Sequence, residues 1–105
     1  MAKETVWENG TELKDREETS LKEPDMFRVL LLNDDYTTMD FVVWIIQNIF
    51  HKSAAEATMI MMDVHKKGKG LVGVYTYDIA RTKSLQVKQI SRENEYPLEC
   101  VVEKE

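Results

Sequence analysis

Residues 26–41, MFRVLLLNDDYTTMDF, contain the change of pattern that decides the fold of this chain. Met26–Leu32 is a short, mostly apolar run, which is typical of a buried central strand. The asparagine and two aspartates that follow have short polar side chains, which favour a turn over a strand ladder. Thr37 is a good helix N-cap, and Asp40 suits the first turn of a helix that begins at about Thr38. The stretch therefore predicts a strand, a polar turn and a helix in direct succession.

Apolar residues recur with helical spacing beyond this stretch. The first helix is expected to end at about Phe50, and its predicted buried stripe consists of Val42, Ile45, Ile46, Ile49 and Phe50. A second helix is predicted from about Ala54 to Lys67, because Ser53 and Glu56 form a capping box and Gly68 can close the helix. The predicted inner face of this second helix consists of Ala57, Ile60, Met61 and Val64.

Two strands and a third helix are predicted in the rest of the chain. Gly70–Thr76 has the pattern of a strand, about Asp78–Glu93 that of a helix, and Leu98–Val102 that of a last strand after Pro97. The predicted inner side of the third helix consists of Ile79, Lys83, Val87 and Ile90. The element order strand-helix-helix-strand-helix-strand predicts an α+β fold, in which a small three-stranded antiparallel sheet packs three helices on one face.

Composition divides the chain into two parts. Residues 1–24 contain seven acidic and four basic residues and few apolar ones, so we expect a flexible, disordered N-terminal tail. Residues 25–105 contain all the predicted elements and are expected to form one folded domain.

Charge and cysteine content exclude several classes of function. The formal net charge of -5 makes nucleic acid a poor partner. The chain begins without the apolar core of a signal peptide, and its longest apolar stretch, Phe41–Ile46, is too short to cross a bilayer. Cys100 is the single cysteine and cannot form an internal disulfide or a multi-thiolate zinc site. We therefore expect a cytoplasmic protein that binds neither nucleic acid nor membrane.

Two features could carry chemistry: the polar run Asn33–Thr37 and His65 near the end of the second helix. Each also has a structural interpretation, because Asn-Asp-Asp is common turn chemistry and a helix-end histidine is a favourable dipole partner. Asp34, Asp35 and His65 could also bind a metal or act as acid and base, but no paired-ligand or catalytic motif accompanies them. We therefore predict neither an enzyme nor a cofactor.

Several motifs together resemble the ClpS family of protease adaptors. Residues 27–41, FRVLLLNDDYTTMDF, are close to the family signature V-x-L-x-N-D-D-Y-T-P-M-x-F. The segments MMDVH at 61–65, GKG at 68–70, GVYT at 73–76 and ENEYPL at 93–98 match the family in order and spacing. Thr38 stands where many members have proline, and both residues are tolerated at the start of a helix. The similarity spans residues 26–103.

The resemblance implies a module that binds the free α-amino group and the bulky hydrophobic first residue (Leu, Phe, Tyr or Trp) of a substrate protein. It further implies docking on the N-terminal domain of a ClpA-type AAA+ unfoldase, which feeds the ClpP peptidase. The oligomeric state is not readable from the sequence, and a monomer is the default expectation. The family pattern, carried onto this chain, assigns the amino group to Asn33, Asp34 and His65, the rim to Asp35 and Thr37, the hydrophobic pocket to Met39, Val42, Met61, Val64 and Leu98, and the unfoldase contact to Asp78 and Lys83.

The alternative is a non-proteolytic protein-interaction domain. The same order of strands and helices resembles the C-terminal domain of the ribosomal stalk protein, which recruits translation factors. That domain is dominated by Ala, Val, Glu, Lys and Gly, and it lacks the NDDYT and VH motifs of this chain.

Overall fold

A computed structural model of the chain describes residues 23–105. Strands and helices follow one another in the predicted order. Their bounds are β1 Met26–Leu32, α1 Met39–Ile49, α2 Ala54–Lys67, β2 Lys69–Thr76, α3 Tyr77–Glu93 and β3 Glu99–Lys104. The prediction of an α+β fold with a three-stranded antiparallel sheet is confirmed.

The central strand of the sheet is β1, which pairs antiparallel with β2 on one side and with β3 on the other. Side chains alternate between the two faces of a strand. Val29 and Leu31 are fully buried in the core against the helices, whereas the neighbouring Leu30 lies in the other orientation, between Leu71 and Val101 in the register. The helices therefore cover the face of the sheet that carries Val29 and Leu31.

The predicted inner faces of α1 and α2 form most of the helical side of the core. Every member of the predicted α1 stripe is buried, and Ile45 and Ile46 are completely inaccessible to solvent. In α2, Ala57, Met61 and Val64 are buried, and Ile60 packs at the edge of the core. Burial of each large apolar side chain contributes roughly 1.5–3 kcal/mol.

The predicted inner face of α3 is wrong at Ile79, whose side chain is 48% exposed. The buried residues of α3 are Ala80, Val87 and Ser91. We predicted that Ile79 would face the core, because isoleucine is more hydrophobic than alanine. In the structure its neighbour Ala80 faces the core instead. A small residue at this position lets the helix axis lie close to the sheet.

The helix ends differ from the predictions at one point. Thr38, not Thr37, is the N-cap of α1, since its hydroxyl accepts the Phe41 N–H at 3.2 Å. In α2 the predicted Ser53 capping box is present, and Gly68 ends the helix with a φ of +88°. The last strand begins at Glu99 and continues to Lys104, two residues beyond the predicted end.

The predicted tail, residues 1–24, lies outside the described residues except for its last two. In the described part of the chain, no helix is long and apolar enough to cross a membrane.

Candidate functional site

A cavity of about 260 Å³ opens where β1 ends, beside the first turn of α1 and the second half of α2. This volume is just below the roughly 300–1,000 Å³ typical of sites for drug-sized ligands, so it suits one side chain and the backbone next to it. The residues that line the cavity are Asn33, Asp34, Asp35, Thr37, Met39, Val42, Met61, Val64 and His65.

Backbone contacts between β1 and α2 bring the two polar motifs together. The N–H of Asn33 donates to the carbonyl of Gly68 at 2.9 Å, and the N–H of Gly68 donates to Val64 at 3.0 Å. The end of β1 is thereby tied to the end of α2, since Gly68 turns the chain in a left-handed conformation that glycine adopts without strain. His65 lies one turn before Gly68 and thus beside the Asn33 loop.

Asp34 organises the loop between β1 and α1. Its Oδ1 accepts the N–H groups of Tyr36 at 2.8 Å and Thr37 at 2.7 Å, and its Oδ2 accepts the Thr37 hydroxyl at 2.8 Å. Burial alone would raise the pKa of the Asp34 carboxyl, but these bonds and the positive charge of Arg92 hold it below its ordinary value. The half-buried Asp34 therefore carries a negative charge at the cavity rim at neutral pH.

Thr37 belongs to this loop and not to the helix cap that we predicted for it. Its N–H and its hydroxyl both bond to Asp34, which leaves Thr38 to cap α1. Thr37 therefore donates to the Asp34 carboxylate at the rim, and the adjacent Thr38 caps the helix.

The inner wall of the cavity is apolar. Val42, Met61 and Val64 are 6%, 8% and 3% exposed and present their side chains from α1 and α2. Met39, in the first turn of α1, is 44% exposed and lies at the mouth. Leu98, which the resemblance assigned to the pocket, is buried in the core at 1% exposure and is not among the lining residues.

The two residues assigned to the unfoldase lie elsewhere, on the first turns of α3. Asp78 and Lys83 line a second, shallower groove with three other α3 residues. The Lys83 ammonium donates to the carbonyl of Ile49 at 2.7 Å and lies 5.7 Å and 5.6 Å from the ring centres of Phe50 and Tyr75. Lys83 therefore caps the C-terminal end of α1, a structural role that the sequence did not indicate.

Two contributions to the site were missed by the sequence reasoning. One is the Gly68 carbonyl, which holds the Asn33 backbone. The other is Arg92, whose charge acts on Asp34 from the last turn of α3. No sequence motif indicates either contribution, because both depend on contacts between segments that are far apart in the chain.

The cavity combines polar acceptors with apolar walls and holds no recognisable catalytic group. Asn33, Asp34 and His65 place acceptor atoms at the rim, which can bind a cation with N–H donors. Among residues 23–105 no cluster of ligating side chains could hold a metal ion. Burial raises the pKa of the Cys100 thiol to about 11, so this cysteine is a poor nucleophile. The geometry thus suits the binding of a ligand that has both a cationic group and an apolar group.

Comparisons with known proteins agree on one family. A family model described as ATP-dependent Clp protease adaptor protein ClpS matches residues 22–101. The ATP-dependent Clp protease adapter protein ClpS of Acetivibrio thermocellus is 58% identical over 95 residues, which are 90% of this chain and 96% of that protein. The protein of the same name from Syntrophus aciditrophicus is 64% identical over 83 residues, which are 79% of this chain and 78% of that protein.

A solved structure has the same fold. Agrobacterium tumefaciens ClpS2, bound to L-phenylalaninamide, matches with a TM-score of 0.77 and 35% sequence identity. The match covers 79% of this chain and 100% of that one.

Proposed function

The chain belongs to the ClpS family of ATP-dependent Clp protease adaptors, which are not themselves enzymes, and we propose that it binds the free α-amino group and bulky hydrophobic first residue of substrate proteins. The observation that carries the proposal is the cavity with acceptors at its rim and apolar side chains inside. Leu, Phe, Tyr and Trp are the first residues that we expect it to accept. The family match disfavours the alternative of a ribosomal-stalk-like domain.

The rim suits an α-ammonium group, which has three N–H donors and one positive charge. Asn33 Oδ1, the Asp34 carboxylate and an imidazole nitrogen of His65 offer acceptors of matching number. A hydrogen bond between charged groups contributes roughly 1.5–3 kcal/mol. An internal residue has no ammonium group, so the rim selects the start of a chain.

The apolar wall suits one large side chain. Burial of a Leu or Phe side chain between Val42, Met61 and Val64 contributes about 1.5–3 kcal/mol. L-Phenylalaninamide, the ligand of the solved relative, combines a free amino group with a phenyl group and an amide, which makes it a minimal N-terminal residue. Because neither the amine nor the side chain supplies enough free energy alone, both are needed for useful affinity.

Delivery of the bound protein is the second half of the proposal. We propose that the groove at the start of α3, with Asp78 and Lys83, docks on the N-terminal domain of a ClpA-type AAA+ unfoldase. This groove is lined by α3 residues alone and shares none with the cavity, so both ligands can bind together. We expect the adaptor to act as a monomer in the cytoplasm, where ClpP receives the unfolded chain.

Asp78→Asn is the cleaner test of this docking surface. Asp78 is exposed, and its substitution should weaken unfoldase binding without changing the thermal unfolding midpoint or the affinity for peptide. Lys83→Met also removes the cap of α1, so its effect on docking would be mixed with a loss of stability. Unchanged binding of Asp78→Asn to the unfoldase would place the contact elsewhere.

Calorimetric titration with short peptides tests substrate recognition. A Phe-led peptide should bind, whereas the same peptide with an acetylated amino group or a Met start should bind weakly or not at all. His65→Ala should lower the affinity by roughly 1–3 kcal/mol with the fold intact. Asp63→Asn, on the same helix but outside the cavity, is the matched control and should bind like the unaltered protein. Equal binding of the acetylated peptide would refute the proposal.

The boundary at residues 24 and 25 is also a proposal. We infer that residues 1–24 assist delivery and take no part in substrate recognition, since the lining residues found within 23–105 all lie between positions 33 and 65. A protein that begins at Asp25 should keep its affinity for a Phe-led peptide but fail to promote degradation of a Phe-led protein. Loss of peptide affinity in this shortened protein would contradict the boundary.

A further inference from the structure

Arg92, in the last turn of α3, holds the segment that leads into β3. Its Nη1 donates to the carbonyls of Tyr96 at 3.0 Å and Leu98 at 2.8 Å, and its Nη2 donates to Glu99 Oε2 at 2.7 Å. The N–H of Tyr96 also donates to Ser91 at 2.8 Å. One planar guanidinium group thus fixes residues 96–99 to the end of the helix, which a lysine ammonium could not do with the same geometry.

The segment that Arg92 holds lies against the start of α1. The ring of Tyr96 packs on Phe41 with 4.6 Å between the ring centres. Its hydroxyl also accepts a long hydrogen bond, 3.5 Å, from Thr38, the N-cap of α1. The next residue is Met39, at the mouth of the cavity. The position of Tyr96 therefore influences the orientation of the first turn of α1 and of the cavity mouth.

Arg92 also acts on the polar rim through its charge. Its guanidinium attracts the Asp34 carboxylate and contributes to the lowered pKa of that group, together with the hydrogen bonds from Tyr36 and Thr37. The other ionisable groups that line the cavity with Asp34 are Asp35 on the same loop and His65 from α2.

We propose that Arg92 is a positioning residue for the mouth of the N-terminal-residue site. Its fork fixes the segment that carries Tyr96, whose ring packs on Phe41 beside the first turn of α1. The inference rests on the proposed function, since it concerns how that same cavity is held in shape. Arg92 itself is not among the residues that line the cavity.

Three substitutions separate the fork from the charge. Arg92→Lys keeps the positive charge but loses the planar fork. Tyr96→Ala keeps the charge and the fork of Arg92 but loses the ring contact with Phe41. Arg92→Gln loses the fork and the charge together. We expect affinity for a Phe-led peptide to fall about tenfold in Arg92→Gln and less in the other two. The pKa of Asp34, followed by NMR, should rise in Arg92→Gln alone.

Arg28→Gln is the matched control. It breaks an arginine–carboxylate pair of similar length, Arg28–Glu103 at 2.6 Å, between partly exposed side chains that do not line the cavity. Its affinity for the Phe-led peptide should equal that of the unaltered protein. Its thermal unfolding midpoint should change about as much as that of Arg92→Gln. A tenfold loss in Arg92→Gln beside an unchanged Arg28→Gln supports the positioning role.

Several outcomes would overturn the inference. Equal or tighter peptide binding by Arg92→Gln would show that Arg92 only stabilises the fold. If Arg92→Gln does not fold, Arg92→Lys decides, since wild-type affinity in that variant refutes the role of the fork and reduced affinity supports it. Failure of the unaltered protein to bind any Phe-led peptide would refute the proposed function instead, so the two failures are distinguishable.

Discussion

The substitution Asp34→Asn tests the negative charge at the cavity rim separately from the hydrogen bonds by which Asp34 holds the loop. Asp34 Oδ1 accepts two backbone N–H groups, and an asparagine Oδ1 can accept the same two. The amide nitrogen that replaces Oδ2 can donate to the Thr37 hydroxyl, which reverses the direction of that bond without removing it. The substitution therefore keeps the loop and removes the negative charge.

The expected loss of affinity follows from the exposure of the group. A hydrogen bond to a charged partner contributes roughly 1.5–3 kcal/mol, and partial solvent exposure favours the lower end. We therefore expect a Phe-led peptide to bind about tenfold more weakly to Asp34→Asn. Asp34→Ala should lose as much affinity and also stability, because the N–H groups of Tyr36 and Thr37 then lack their acceptor.

Stability in acid provides an independent readout. The pKa of Asp34 is lower in the folded protein than its ordinary value, so the ionised group stabilises the fold at neutral pH. This contribution is present above the unfolded-state pKa of about 3.9 and is lost as the pH falls through the lower folded-state value. Asp34→Asn cannot titrate, so the variant should lose less stability than the unaltered protein as the pH falls below about 4.

The assay pairs calorimetric titration at pH 7 with denaturant unfolding from pH 3 to 7. Asp63→Asn, the same substitution at an exposed residue of α2 outside the cavity, controls for net charge. Wild-type affinity in Asp34→Asn would refute the rim assignment and leave Asp34 with only its structural role in the loop. A disordered loop in that variant, visible as lost NMR signals of Tyr36 and Thr37, would refute the proposed separation of charge and scaffold.

Three further predictions concern the substrate amine, Met39 at the mouth of the cavity, and Gly70, which lies against Val64 of the cavity wall. Affinity for a Phe-led peptide should fall above about pH 8, where the amine loses its proton, and a titration series that stays flat to pH 9 would exclude ammonium recognition. Met39→Ala should admit Ile-led and Val-led peptides, because their branched Cβ is wide beside the backbone. If this variant still binds a Phe-led peptide but rejects both of these, another residue must exclude them. Gly70→Ala should destabilise the fold by about 1–3 kcal/mol and weaken peptide binding, because a Cβ would lie 2.8 Å from Val64 Cγ2 and 3.0 Å from the Ile60 carbonyl; wild-type stability in denaturant unfolding would contradict this crowding.

Local patterns predicted the strands and helices well where one physical signal dominated. The capping box at Ser53 and the left-handed Gly68 bounded α2 correctly, because both motifs act within four residues of a helix end. The first helix was harder to place, since Thr37 and Thr38 are equally good caps by composition. Only the contact between Asp34 and the Thr37 hydroxyl in the folded loop distinguishes the two.

Hydrophobicity predicted the core-facing side of α3 only in part: Val87 is buried and Ile90 packs against the core, as expected. Ile79 fits an apolar stripe but is exposed, while Ala80 and Ser91 are buried against the sheet. The packing distance between helix and sheet decides this, and a small side chain is favoured where the two approach closely. We predicted Lys83 on the inner side of α3, but the sequence did not indicate that its ammonium group caps a helix that ends at Ile49, thirty-four positions earlier.

The sequence by itself determined the element order, the sheet-and-helix architecture and the polar and apolar residue types of the candidate site. These follow from periodicity, turn chemistry and motif resemblance, which are local properties. The family resemblance already grouped His65 with Asn33, and the tertiary structure shows the contacts of Gly68 that join their segments. Only the tertiary structure placed Leu98 in the core and revealed the influence of the Arg92 charge on Asp34. The physical reason is that these relations depend on how β1, α2 and α3 pack in three dimensions, which no spacing along the chain encodes.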